Sequence, residues 1–352
     1  MRVGSDQTDS MPLRKQTYRF PQASVDYYFN AGLGDLSRVA PQASSILITD
    51  EQVFAAHQKK FKGWNTIVLK PGEEYKIQQT ADAVIDQLIE MGADRKTTLV
   101  GIGGGVITDL TGYVASVYMR GIPFGFVPSS LLAMVDASIG GKNGIDVGVY
   151  KNMVGTIRQP SFLLFDFSLL RSLPLAEWQN GFAEVIKHAC IKDAAMFSQL
   201  ERGSLPRFRK AAGALAQLVR RNAMIKTRVV QQDQWEQGDR RLLNFGHTLG
   251  HALENTYELS HGQAISIGMT YAARISGRVL GFKDADRVAR LLDRYGLPTF
   301  AQFDLPGAMA VMARDKKKVQ SAMNYVLLQR VGKGVVHSLT MKELDGLLQS
   351  VL

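Results

Sequence analysis

Three of the chain's six histidines fall within fifteen residues. The segment NFGHTLGHALE sets His247 and His251 four residues apart, on one face of a helix, and His261 follows in SHG where the next helical pattern starts. Upstream, GFAEVIKH places Glu184, Lys187 and His188 on another helix. Histidines with a carboxylate, leaving one position open, are the usual means of holding a catalytic zinc ion. By spacing alone, HxxxH makes both helix histidines ligands. Any one of these histidines reads equally well as a satisfied core residue, but their clustering argues against that for all three.

Two glycine-rich segments suit anions. TTLVGIGGGVITDLTG reads as strand, tight turn and helix, with Gly103, Gly104 and Gly105 letting a ligand approach the backbone at a helix N-terminus. Val106 stands where the third glycine of GxGxxG would fall, and a βα turn with nothing bound would look the same. Asp50, directly after the strand SILIT, could accept from a ribose hydroxyl or cap the next helix. In VDASIGGKNGIDVGVYKN, Lys142 and Lys151 sit in what reads as a loop after an apolar helix. Lysines there suit phosphate or carboxylate, although solvated loop lysines fit the composition as well.

The elements that must position these residues divide the chain in two. SILIT (45–49), TIVL (66–69), TTLVGI (97–102), FGFVP (124–128) and FLLFDF (162–167) read as buried strands, with helical periodicity at 78–91 and 109–119. Such alternation predicts an α/β Rossmann-like domain with a largely parallel sheet. After Leu173-Pro174 long helical patterns dominate, at 175–192, 194–201, 210–230, 240–257, 260–280 and 284–294, and only 324–328 and 334–339 look extended. The expected organisation is a nucleotide-binding domain over 1–168 and a mostly α-helical metal- and substrate-binding domain over 169–352. A length of 352 residues agrees with two domains at about 100–200 residues each.

Composition narrows the function classes. A single cysteine, Cys190, excludes an internal disulfide and any cysteine-cluster metal site. No stretch reaches the roughly 18 uninterrupted apolar residues of a membrane span, and the N-terminal residues lack the apolar core of a secretory signal. A cytoplasmic location and no membrane partner are expected. Net charge is +10, with eight basic residues and no acid between Arg202 and Gln232. Phe208 is the one aromatic in that stretch and no nucleic-acid-binding motif accompanies it, so small anionic substrates are favoured over nucleic acid.

Several motifs in order resemble the 3-dehydroquinate synthase family of sugar phosphate cyclases. They are PGEEYK (71–76), GGGVITDLTGYVASVYMRG (103–121), VPSSLLAMVDASIGGKNGID (127–146), KNMVGTIRQP (151–160), FAEVIKH (182–188) and LLNFGHTLGHALE (242–254). The resemblance implies a dehydroquinate synthase-like fold, catalytic NAD, one divalent zinc or cobalt ion, and a homodimer. It puts the metal on Glu184, His247 and His261, and moves His251 to the substrate. It puts NAD on Asp50, Glu73, Lys76, Gly104, Gly105, Val106, Asp109, Ser129, Ser130, Lys142, Lys151 and Ser172. Substrate contacts fall on Asp136, Lys142, Asn152, Lys187, Lys226, Arg240, Asn244, His251 and Lys316 or Lys317, with Arg120 reaching the phosphate across a dimer interface. Ser129-Ser130 departs from the family's usual Thr-Thr, and Thr108, Asn143 and Tyr150 depart elsewhere, but no charged site residue is lost.

The implied reaction converts 3-deoxy-D-arabino-heptulosonate 7-phosphate to 3-dehydroquinate and phosphate, a step of the shikimate pathway to aromatic amino acids. It proceeds by transient oxidation with NAD, phosphate elimination, reduction and intramolecular aldol closure. The alternatives are another sugar phosphate cyclase, whose substrate lacks the carboxylate, and a metal-dependent polyol dehydrogenase of the same fold. Lys226, Arg240 and Asn244 would lose their anionic partner in the former. The latter would release NADH and has no need of so many anion-binding lysines.

Overall fold

The computed structural model describes residues 15–29, 31–148, 150–314 and 322–351. Its first half holds strands β1 (Gln16–Arg19), β2 (Ser24–Tyr28), β3 (Ser45–Asp50), β4 (Asn65–Leu69), β5 (Thr98–Gly103) and β6 (Phe124–Pro128). There follow β7 (Lys142–Val147), β8 (Tyr150–Ile157) and β9 (Phe162–Leu164). Seven of these form one sheet in the order β1-β2-β9-β6-β5-β3-β4. Every neighbouring pair is parallel except β1–β2. The central parallel strands β3, β5, β6 and β9 are buried on both faces, as their apolar runs require.

Helices α1 (Glu51–Phe61), α2 (Gln78–Glu90) and α3 (Gly105–Val117) make the connections. From β3 the chain passes to β4 on one side, whereas β5 lies on the other. The carboxyl ends of β3 and β5 therefore open a crevice at a topological switch point, where open α/β sheets bind ligands. Asp50 ends β3 and the glycine run ends β5, so the two face one crevice.

The segment read as a loop at 135–152 is different in kind. A short π-helical turn over Ala133–Ala137 leads into the antiparallel hairpin β7–β8, which carries both Lys142 and Lys151. Its strand residues include Lys, Asn, Gly and Asp, which favour turns, so pairing rather than propensity makes it a hairpin. Gly155 is needed there, because a Cβ would lie 2.2 Å from the Asn143 carbonyl oxygen.

The second half comprises α4 (Leu175–Lys192), α5 (Ala194–Glu201), α6 (Leu205–Lys210), α7 (Ala212–Gln232), α8 (His247–Thr256) and α9 (His261–Leu280). It continues with α10 (Ala285–Arg294), α11 (Leu305–Arg314), the hairpin β10 (Ala322–Arg330)–β11 (Lys333–Thr340) and α12 (Met341–Gln349). Helix α9 is central, buried almost continuously from Gly262 to Ser276. The continuous helix expected over 240–257 is broken: a 3-10 turn spans Asp239–Asn244, and Gly246, at φ +80°, restarts the chain at His247. The expected change of texture at 168–169 falls within the 3-10 turn Phe167–Ser172. One apolar cluster runs through both halves, joining Phe124 and Leu131 of the first to Phe182, Ile265 and Leu344 of the second. No helix among the described residues is long and apolar enough to cross a membrane.

Candidate active site

The histidine cluster depends on how closely α4, α8 and α9 approach. Ser260 caps α9 by accepting from the Gln263 amide, which aims His261 from its first turn. Asn180 of α4 holds that end in place, its Oδ1 accepting from Ser260 Oγ at 2.7 Å and from the Gly262 amide at 3.1 Å. The approach of α9 to α8 rests on Gly268, where a Cβ would lie 2.0 Å from the Gly246 carbonyl oxygen. These contacts bring Glu184, one turn after Asn180, opposite both His247 and His261.

Glu184 Oε1 lies 3.3 Å from His261 Nε2 and 3.5 Å from His247 Nε2. Glu184, His247 and His261 each offer a ligand atom within 4.8 Å of the others, and so do His251, Glu254 and His261. The two helix histidines thus fall in different donor groups that share His261. Burial holds the His247 imidazole well below its ordinary range, and Lys187 adds to the effect, so His247 offers a lone pair. Burial opposes charge on His261, yet Glu184 and Glu254 raise it to about 9. Burial would raise the Glu184 carboxyl, but Lys187, His261 and His247 hold it below its ordinary range. Two nitrogens and an ionised carboxylate, in a pocket that already favours positive charge between its carboxylates, fit a divalent cation.

A chain of buried charges leads away from this group. Lys187 ion-pairs with Glu184 Oε2 and faces Asp136 Oδ1 at 3.8 Å. Lys226 of α7 meets Asp136 Oδ2 at 2.8 Å and donates to the Asp136 carbonyl at 2.9 Å. Burial would raise the Asp136 carboxyl, but Lys226, Lys187 and His188 together hold it well below the carboxylate range. Arg240 is 3% exposed and donates to the carbonyls of Gln234 at 2.6 Å and Gly140 at 3.1 Å. Among the described residues no carboxylate comes within ion-pair distance of it. Asn244 donates to Glu236 Oε1 at 2.5 Å, and Lys142 pairs with the same carboxylate.

The sheet crevice is built differently. A Cβ at Gly103 would strike Ile107 at 2.4 Å, so that glycine serves packing. At Gly104 and Gly105 the nearest atoms would be Ser130 Oγ at 3.6 Å and Ala137 Cβ at 3.5 Å, which leaves room above the turn. The α3 N-terminus there has no side-chain cap, so the amides around Val106 can meet an anion. That open turn and its uncapped amides fit a pyrophosphate. Asp50 caps α1, accepting from the Val53 amide at 2.9 Å. Lys76 meets Asp109 at 2.8 Å, Asn152 at 2.6 Å and Glu73 at 3.4 Å. Asn152 adopts φ +54°, its amide donating to Asp146 at 2.6 Å. Ser129 is pinned to β5 through the Gly103 carbonyl, and Ser130 Oγ accepts from the Ala133 amide. Ser172 Oγ lies 2.8 Å from Nε2 of His57 on α1.

Arg120 is exposed at the turn after α3, on left-handed backbone at φ +67°. His251 is exposed beside its neighbours, its ring centroid 5.1 Å from that of His247. Lys316 and Lys317 lie outside the described residues. Sequence reasoning passed over Glu236 and Glu254. Glu254 follows His247 by seven residues and His251 by three, which places all three on one helix face and could have flagged it. Glu236 left no such signal.

Comparison with known proteins gives matches over most of the chain. The family model for the 3-dehydroquinate synthase N-terminal region matches residues 66–180, and that for its C-terminal region matches 181–318. A 3-dehydroquinate synthase of Pelobacter propionicus is 41% identical over 300 residues, 84% of each chain. Among solved structures, 2-deoxy-scyllo-inosose synthase complexed with carbaglucose-6-phosphate, NAD+ and Co2+ superposes with a TM-score of 0.84 at 24% identity, over 96% of this chain and 99% of that one. The 2-epi-5-epi-valiolone synthase of Streptomyces hygroscopicus, with NAD+ and Zn2+ bound, gives 0.84 at 26% identity over the same shares. Matching family models across both halves, with a relative this similar over most of its length, place the chain in the 3-dehydroquinate synthase family.

Proposed function

We propose that the chain converts 3-deoxy-D-arabino-heptulosonate 7-phosphate to 3-dehydroquinate and phosphate, with NAD in the sheet crevice and a divalent zinc or cobalt ion on Glu184, His247 and His261. When bound, NAD would accept a hydride from the substrate and later return it, while the cation would polarise the substrate's hydroxyl and carbonyl oxygens. The open turn at Gly104–Val106 takes the pyrophosphate, with Asp50, Glu73, Lys76, Asp109, Ser129, Ser130, Lys151 and Ser172 along the crevice. Arg240 and Lys226, beside Asn244, read the substrate carboxylate. Lys142, Lys187, Asn152 and His251 meet the phosphate end, joined by Lys316 or Lys317 and by Arg120 from a second copy in a homodimer. Asp136 balances Lys187 and Lys226, so the site is not over-charged before substrate arrives. The halves act as a nucleotide-binding domain over 1–168 and a helical domain over 169–352, in a cytoplasmic enzyme that eliminates phosphate as a carbon–oxygen lyase.

The observation that carries this reading is Arg240, a buried guanidinium that donates to carbonyls and, among the described residues, has no carboxylate within ion-pair distance. A substrate without a carboxylate would leave that buried charge opposed only by the more distant Glu236, Asp136 and Asp233, which is costly in a buried site. The test is phosphate release from the heptulosonate phosphate with substrate in large excess over NAD. Many phosphates per NAD, without accumulation of NADH, are expected. NADH accumulating mole for mole without phosphate release would make the chain a dehydrogenase instead.

A further inference from the structure

A second carboxylate stands behind the cation site, and the reaction makes no direct use of it. Glu254 lies on α8 with its side chain 8% exposed, between the two halves of the molecule. One oxygen, Oε2, faces His261 Nδ1 at 3.5 Å. The other, Oε1, accepts from Lys151 Nζ at 2.6 Å, and Lys151 belongs to β8 in the hairpin of the first half. With a cation bound, a carboxylate at Nδ1 would keep the imidazole proton on that nitrogen and leave the Nε2 lone pair for the ion on the Glu184 side, where Oε1 lies 3.3 Å away. Partners of this kind set the orientation and basicity of a metal-binding histidine. Here the same carboxylate is also gripped from the other side of the crevice.

We propose that Glu254 is a positioning residue that orients His261 for the cation and, through Lys151, couples cation affinity to the seating of the β7–β8 hairpin. The inference rests on the cation reading above and adds a link between the two halves that this reading does not contain. Lys151 serves two ends: its ammonium lines the crevice and stiffens the carboxylate that aims His261. When the hairpin is displaced, Glu254 loses its cationic partner and His261 is held less firmly.

The test measures cobalt(II) affinity by competition with a chromophoric chelator, together with the visible spectrum of bound cobalt. Glu254→Ala is expected to weaken binding about ten- to hundredfold, and the conservative Glu254→Gln by less, with the parent's cobalt spectrum retained in both. Lys151→Met is expected to weaken binding about twofold or more in the parent, as for groups in one network, and to add nothing in the Glu254→Ala background. Affinities that match the parent in Glu254→Gln, Glu254→Ala and Lys151→Met overturn the inference alone. A cobalt spectrum altered by Glu254→Gln overturns it too, because Glu254 would then be a ligand. A parent protein that takes up no cobalt fails the cation site itself, and the inference with it.

Discussion

The two sides of the proposed site offer a charged group different materials. At the sheet crevice an open glycine turn and the uncapped amides of α3 stand beside a buried ion pair, Lys76 with Asp109. At the helical face the working parts are side chains, with Glu184, Lys187, Asp136, Lys226 and Arg240 all buried or nearly so. A backbone site costs little to maintain, since its donors are already present at any helix start. A side-chain site must desolvate each charge and repay that cost with partners, which is why Asp136 meets three cationic or ionisable neighbours. The first side is therefore sensitive to added bulk, and the second to lost charge.

Breaking a charge on the helical face should have the largest effect. Arg240→Ala is expected to weaken the carboxylate-bearing substrate by about 2–5 kcal/mol, as for the loss of one member of a buried charge pair. Kinetics with a sugar phosphate lacking the carboxylate should show a far smaller loss. Equal losses for both would assign Arg240 to scaffolding and favour a sister cyclase.

Added methyl groups separate packing glycines from ligand glycines. Gly268→Ala forces a Cβ against the Gly246 carbonyl oxygen and is expected to cost about 1–3 kcal/mol of folding stability by denaturant titration. Gly104→Ala would bring its Cβ only into ordinary contact with Ser130 Oγ, at 3.6 Å, and should leave that stability within about 0.5 kcal/mol. Its cost should fall on NAD instead, read as weaker binding in a fluorescence titration. If Gly104→Ala unfolds the protein or binds NAD as the parent does, the turn is not a backbone cradle.

The smallest effect concerns Asp166, beyond both sites. Burial would raise its carboxyl, but Lys60, Ser168 and the Leu33 amide hold it below the ordinary range. A folded-state value below the unfolded one adds stability that is full above the unfolded value, about 3.9, and is lost as pH falls through the folded value. Asp166→Asn should therefore flatten the acid limb of a stability–pH curve and leave the neutral region parallel to the parent. An unchanged acid slope would place the acid sensitivity elsewhere.

How much was legible in the sequence follows the same division. The strands at 45–49, 66–69 and 124–128 lie where β-branched runs put them, because buried parallel strands carry their signal in composition. Strands β1 and β2, short and partly exposed, carry little such signal and were passed over. The β7–β8 hairpin reads as a loop in the sequence because its pairing is a tertiary fact that Gly and Asn conceal. Histidine spacing marked the cluster, but which histidine faces Glu184 depends on α9 docking onto Asn180, and no local pattern states that. Glu236, at φ +59° and holding both Lys142 and Asn244, was invisible for the same reason.

The central claim is that the cation sits on Glu184, His247 and His261 rather than on the neighbouring group of His251, Glu254 and His261. Bound zinc per chain in the parent, His247→Ala and His251→Ala, measured by elemental analysis after dialysis, decides between them. The account predicts one zinc in the parent, far less than one in His247→Ala, and close to one in His251→Ala. Full zinc in His247→Ala with loss in His251→Ala would contradict it.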